Sequence, residues 1–277
     1  MEYPNPPVVF VALEVRLPPE SGTRPFLLAD QRDLQRSLAG TVDDGWVVDR
    51  LQPQALHFTF SPGGVVQAPI PPTAGPVPGA PPSLPRLVSR SKTTAITFAP
   101  AAIILETTAH RSWEHLRSIL DVTVEFAAER LTPDGYVRLG LRYVDEIRVP
   151  TGDASPTDWS RYLSSTLVAP PAPSGFESEN WQSVIQYSSP DERHLTLRYR
   201  LAPSSVVQTG SALRRPAGAP DGPCFVVDTD AFVVPSDIPP FDAGEIVAAC
   251  DRLHGPISEL FESLVTSELR AIFNQEG

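Results

Sequence analysis

The stretch YVRLGLRYVDEIRV, residues 136–149, decides the fold class: Arg138 and Arg142 alternate with Val137, Leu139, Leu141 and Tyr143. Successive side chains on a β-strand point to opposite faces, so this pattern puts the arginines on one side and an apolar row on the other. Three more stretches repeat it. Arg198 and Arg200 alternate with Leu197, Tyr199 and Leu201; Asp228 and Asp230 share one side of residues 224–234; Glu14 and Arg16 share one side of residues 8–17. Strands with one charged and one apolar face belong to an antiparallel sheet that is covered on a single side.

The cover is legible too. After Ser112, residues Trp113, Leu116, Leu120, Val124, Ala127 and Leu131 fall three or four apart, the spacing of a helix with one buried stripe. A second helix starts at Asp242, with Glu245 as capping-box partner and apolar positions at Ile246, Cys250, Leu253, Ile257, Leu260, Phe261 and Leu264. Pro256 is expected to kink or split it, because the proline ring clashes with the preceding turn. The fold class is therefore α+β: antiparallel sheet with two long amphipathic helices on one face. Residues 103–131 and 225–264 both run from strand into long helix, which suggests two similar strand–helix halves, 1–150 and 175–277, with 151–174 as connector.

Shorter elements fill the plan. Strands are expected at 46–48, 56–60, 87–91, 94–98, 103–107, 181–187 and 194–201, and short helices at 30–38 and around 159–163. Residues 62–85 hold nine prolines; such a density removes backbone donors and favours extended conformations, so a mobile surface loop is expected there.

Composition narrows the function. The 277 residues carry a formal net charge of −11, which argues against a nucleic-acid surface, since phosphate contacts need a basic field. Lys92 is the lone lysine, a bias that a GC-rich coding genome explains. Cys224 and Cys250, on an apolar strand and the inner face of a helix, read as small buried hydrophobes. No stretch approaches a bilayer-spanning run and residues 1–7 lack the regions of a signal peptide, so the expected location is the cytoplasm.

Tyr3-Pro-Asn-Pro-Pro-Val, Arg138-Leu-Gly-Leu-Arg-Tyr-Val-Asp, Val227-Asp-Thr-Asp, Leu253-His254, Phe261-Glu262 and Thr266 occur in the order of landmarks in a family of bacterial proteins. The chain resembles that sporadically distributed family of roughly this length, which has no assigned function. The Pro-rich insertion departs from the family's compactness. The resemblance implies an accessory role, such as defence or a toxin–antitoxin pair, and brings no catalytic residue with it.

Candidate chemistry rests on few residues. Asp228 and Asp230, two apart on one strand face, could hold a divalent cation or share a proton; no third acidic residue joins them, and pairing with Arg138, Arg142, Arg198 or Arg200 across strands explains them as well. Those four guanidiniums could instead clamp a phosphate or carboxylate, although no glycine-rich phosphate loop accompanies them. His254 precedes the Gly255-Pro256 break and reads as a core-edge histidine bonded to a carbonyl freed by Pro256. No serine elbow or Cys–His arrangement is present. The expectation is a non-catalytic binding or interaction protein with a protein partner, no metal and no cofactor. A small-anion or nucleotide sensor using the arginines is the first alternative, and a metal-dependent enzyme centred on Asp228 and Asp230 the second.

Overall fold

The computed structural model describes residues 3–19, 23–51, 83–149, 158–168, 173–176, 181–207, 213–216 and 220–275. In chain order these form β1 (Val8–Arg16), α1 (Leu28–Ser37), β2 (Trp46–Leu51), β3 (Leu84–Ser89), β4 (Thr94–Ala99), β5 (Ala102–Thr107), α2 (Trp113–Arg130) and β6 (Arg138–Ile147). After a short 3-10 turn, Trp159–Arg161, come β7 (Gln182–Ser188), β8 (Arg193–Ala202), β9 (Cys224–Val233), α3 (Ala243–Leu264) and α4 (Ser267–Phe273). The strand expected at 56–60 and most of the Pro-rich segment lie outside the described residues.

The strands form one nine-stranded sheet in the order β2-β3-β4-β5-β1-β6-β9-β8-β7, every neighbouring pair antiparallel. This order is symmetric about the central β1–β6 pair. Outward from β1 run β5, β4 and β3; outward from β6 run β9, β8 and β7. Each set is followed by its long helix, α2 after β5 and α3 after β9. Residues 103–131 and 225–264 thus occupy equivalent places, and strands from 1–150 and 175–277 share one sheet. The first set carries one strand more, because β2 lies outside β3.

Alternation divides the sheet as the sequence does. Val11, Leu13 and Val15 of β1, Leu139, Leu141 and Tyr143 of β6 and Ala231 of β9 join one buried cluster with Leu34 of α1, Leu116, Leu120 and Val124 of α2 and Ile246, Cys250 and Leu253 of α3. A second cluster extends this layer through Ile147, Leu197, Phe225 and Val227 to Trp159, Leu264, Leu269 and Phe273. Side-chain oxygens start the helices: Ser112 Oγ accepts from the His115 amide at 3.1 Å and Asp242 Oδ1 from the Glu245 amide at 2.9 Å. Each satisfies a donor that the first turn leaves without a partner. Both cysteines are free and buried.

Two local expectations need correction. α3 is not split at Pro256: it continues from Ala243 to Leu264. A proline removes one ladder bond and costs about 3 kcal/mol in a helix interior, but Leu253 and Ile257 on either side are both buried, and their burial holds the helix together. The Pro-rich segment was also expected to reach Pro85, yet Pro85 is inside β3 and paired with Arg50. The β3–β4 pairing covers only Arg86 to Val88, so Pro85 lies beyond it, where a missing donor is tolerated. The α4 helix, capped by Thr266 Oγ1 on the Leu269 amide, has too short an apolar pattern to be read in advance.

The turn into β6 depends on a glycine. A Cβ on Gly135 would lie 2.2 Å from the Pro239 carbonyl oxygen, so only glycine lets residue 135 bridge to Pro240. No helix among the described residues is long and apolar enough to cross a membrane.

Candidate functional site

One face of the sheet carries the charged residues read from sequence. Arg142 sends Nε and Nη2 to the two oxygens of Asp228, 2.8 Å each. Arg138 donates to Glu14 at 2.6 Å and to Asp230 at 3.2 Å, while Arg198 approaches Asp228 at 4.0 Å. Arg198 stands directly opposite Asp228, but the Arg142 pair is diagonal: Arg142 stands opposite Asp230 in register and binds Asp228. Arg138 reaches Asp230 by lying flat across Gly140, its guanidinium 4.8 Å from the centre of the Phe232 ring, on which His194 stacks in turn. Burial opposes the charge on Arg142, and the Asp228 hydrogen bonds outweigh it, so its pKa is raised. Arg200 has no ion pair among the described residues.

Arg138, Arg142, Arg198, Asp228 and Asp230 therefore come together with Glu14, largely to neutralise one another, and Arg200 stands outside these pairs. His254 does not join them. It sits on the helix side, its ring stacked on Trp113 at 4.7 Å, with Nε2 3.4 Å from Ser258 Oγ. The expected bond to a carbonyl freed by Pro256 is not formed; the hydroxyl one turn away takes that place. Burial lowers the His254 pKa.

A different set of charges surrounds a cleft of about 380 Å³ at one end of the central strands. Its walls include Asn5 and Val8 at the start of β1, His110 ahead of α2, Arg148 beyond β6, Arg215, and Phe273 of α4. The site is assembled around Glu146, whose side chain is 1% exposed. Its carboxylate accepts from Arg215 Nη1, Ser205 Oγ and the Val206 amide at 2.8 Å each, and from the Val207 amide at 3.3 Å. Burial alone would raise the Glu146 pKa, but Arg215, Ser205 and Val206 together bring it below the usual value. The segment after β8 is thereby pinned across the polar face, with Leu213 packed on Val88 and Ala95. Arg148 Nη1 donates to the carbonyls of Asp221, Gly222 and Pro223, and Nη2 to Ser205.

Two guanidiniums thus share one carboxylate, and among the described residues that line the cleft positive charge exceeds negative. The cleft also contains polar atoms without partners. Arg148 Nε and His110 Nδ1 are buried and make no hydrogen bond among the described residues. An unpaired buried donor or acceptor costs about 1–3 kcal/mol.

Behind His110 the polar character continues into the helix-side core. The ring of Tyr143 meets His110 edge-on at 5.3 Å, and the Tyr143 hydroxyl is buried with no hydrogen-bond partner among the described residues. Asp145 follows two residues along the same face of β6 and is only 4% exposed. Burial, with Asp228 adding to it, pushes its carboxyl up to about 8. Burial also lowers His110 to about 4, helped by His254 and His115, and raises Tyr143, helped by Asp145. At neutral pH the group is uncharged: a neutral imidazole, a phenol and a carboxylic acid.

Sequence reasoning passed over His110, Asp145, Glu146, Arg148 and Arg215. The one advance signal is in β6, where Asp145 breaks the apolar row Leu139, Leu141, Tyr143, Ile147. Arg86 was missed as well: it is 1% exposed on β3, with Nε and Nη2 making no hydrogen bond among the described residues. Among the described residues no cluster of three or more His, Cys, Asp or Glu side chains is arranged to hold a metal ion. No protein-family model and no curated protein matches this chain.

Proposed function

We propose that this chain is a non-catalytic binding protein that captures a small anionic molecule in the cleft walled by His110, Arg148 and Arg215. The observation that carries this reading is the excess of Arg148 and Arg215 over Glu146 among the described residues that line the cleft. The ligand would be a carboxylate or phosphate with an apolar portion, since Val8, Ile272, Phe273 and several prolines supply the remaining walls. A guanidinium suits an oxyanion because its planar donors match two oxygens at once. Thr108 Oγ1 lies within hydrogen-bond reach of the carbonyls of Thr93 and Arg214, so its single proton is taken within the protein. On this reading the long helices α2 and α3 are scaffold, their apolar stripes backing the sheet.

The anion sensor, the first alternative read from the sequence, is thereby moved to other arginines, in place of the protein-partner role expected there. An anion at Arg138 or Arg142 would first have to displace Glu14, Asp230 or Asp228.

The test is a thermal-shift and calorimetric screen of the full chain against small carboxylates and phosphates, with chloride at matched ionic strength as control. The expected result is saturable stabilisation by at least one of them. It should vanish in Asn5→Trp, which fills the cleft without touching its charges, and persist in Arg142→Ala. No saturable shift, or one that survives Asn5→Trp and vanishes in Arg142→Ala, would reject the cleft as the site.

A further inference from the structure

We infer that β7 is a dimerisation edge, pairing antiparallel with β7 of a second copy of this chain. The symmetry of the strand order shows what the edge lacks. β3 and β7 hold equivalent positions at the ends of the two four-strand sets, and the outer edge of β3 is covered by antiparallel β2. Among the described residues no strand covers the outer edge of β7, and its backbone N–H and C=O groups there are left for another strand.

The composition of β7 points the same way. Proteins protect open edges with charged side chains, prolines, bulges or very short strands, because an unpaired edge recruits other strands. β7 spans seven residues, QSVIQYS, with no charge and no proline, in a chain of net charge −11. Val184 is 61% exposed and Tyr187 44% exposed on this strand.

A second copy fits this edge through its symmetry. An antiparallel strand pair can close on a two-fold axis, with the same patch used on both sides. Centred on Ile185, the pairing sets Val184 against Gln186, Ser183 against Tyr187 and Gln182 against Ser188, so no charge meets its like. Ile185 packs at the margin of the helix-side cluster that contains Leu197 and Phe225. In the dimer it meets its own copy, and the two apolar layers become continuous.

Light scattering coupled to size exclusion, run on the full chain over a range of concentrations, tests this directly. Wild type should show twice the 30.1 kDa chain mass. Val184→Lys, at an exposed position that leaves the fold intact by far-UV circular dichroism, should run as a monomer. Ile185→Cys should form an interchain disulfide under mild oxidation, and should lose it when combined with Val184→Lys. A wild-type chain that stays at 30.1 kDa throughout, including one that binds an extended peptide instead, overturns the inference. So does a dimer that survives Val184→Lys and does not cross-link at residue 185.

Discussion

A Cβ on Gly140 would lie 2.2 Å from Nη1 of Arg138. The missing side chain at 140 is the space through which the Arg138 guanidinium crosses the strand to reach Glu14 on one side and Asp230 on the other. Gly140→Ala should therefore displace Arg138 and cost about 1 kcal/mol, the scale of a partly exposed cross-strand ion pair. In an Arg138→Met background the same change should be neutral. A urea-denaturation double-mutant cycle measures the difference, and equal costs in both backgrounds would show that Gly140 serves something else.

Asp145 makes the pH dependence of stability unusual. Its carboxyl sits near 8 in the fold against 3.8 in an unfolded chain, so the folded state binds a proton that the unfolded state has released. That contribution is complete below the unfolded value and is lost as pH rises toward the folded one. Wild type should lose stability from about pH 4 to pH 8 relative to Asp145→Asn, which keeps the shape and cannot ionise. Parallel denaturation curves for the two proteins over that range would contradict the burial argument.

His110 works in the opposite direction. Its folded value near 4 lies below the unfolded 6.5, so its contribution is present above pH 6.5 and is lost as pH falls toward 4. His110→Phe should lose less stability than wild type between those values, read as the change in Tm with pH.

Glu146→Gln should be the most damaging single change near the cleft. It leaves Arg215 and Arg148 beside a neutral amide in a site where the side chain is 1% exposed; removing one partner of a buried pair costs about 3 kcal/mol or more. The segment after β8 should loosen with it, seen as faster hydrogen exchange at the Val206 and Val207 amides. Unchanged exchange there would mean that the segment is held by its apolar contacts alone.

The strands, their two faces, the two long helices and the capping residues Ser112 and Asp242 were legible because each is a local property: a period of two, a period near 3.6, an oxygen three residues ahead of an amide. The same alternation correctly placed Glu14, Arg138, Arg142, Arg198, Arg200, Asp228 and Asp230 on one side. It could not say which pairs form, because a diagonal pair such as Arg142–Asp228 depends on the register between strands and on the glycine that clears a path for Arg138. The cleft was out of reach for a related reason. Glu146 and Arg215 are 69 residues apart, and the contact joins the end of β6 to a segment whose own sequence carries no periodic signal. Sequence by itself determined what each strand and helix would bury. Only the tertiary structure decided which strand ends meet, because side chains distant in the chain share a site only through the sheet order, and that order arises from the packing of the whole molecule.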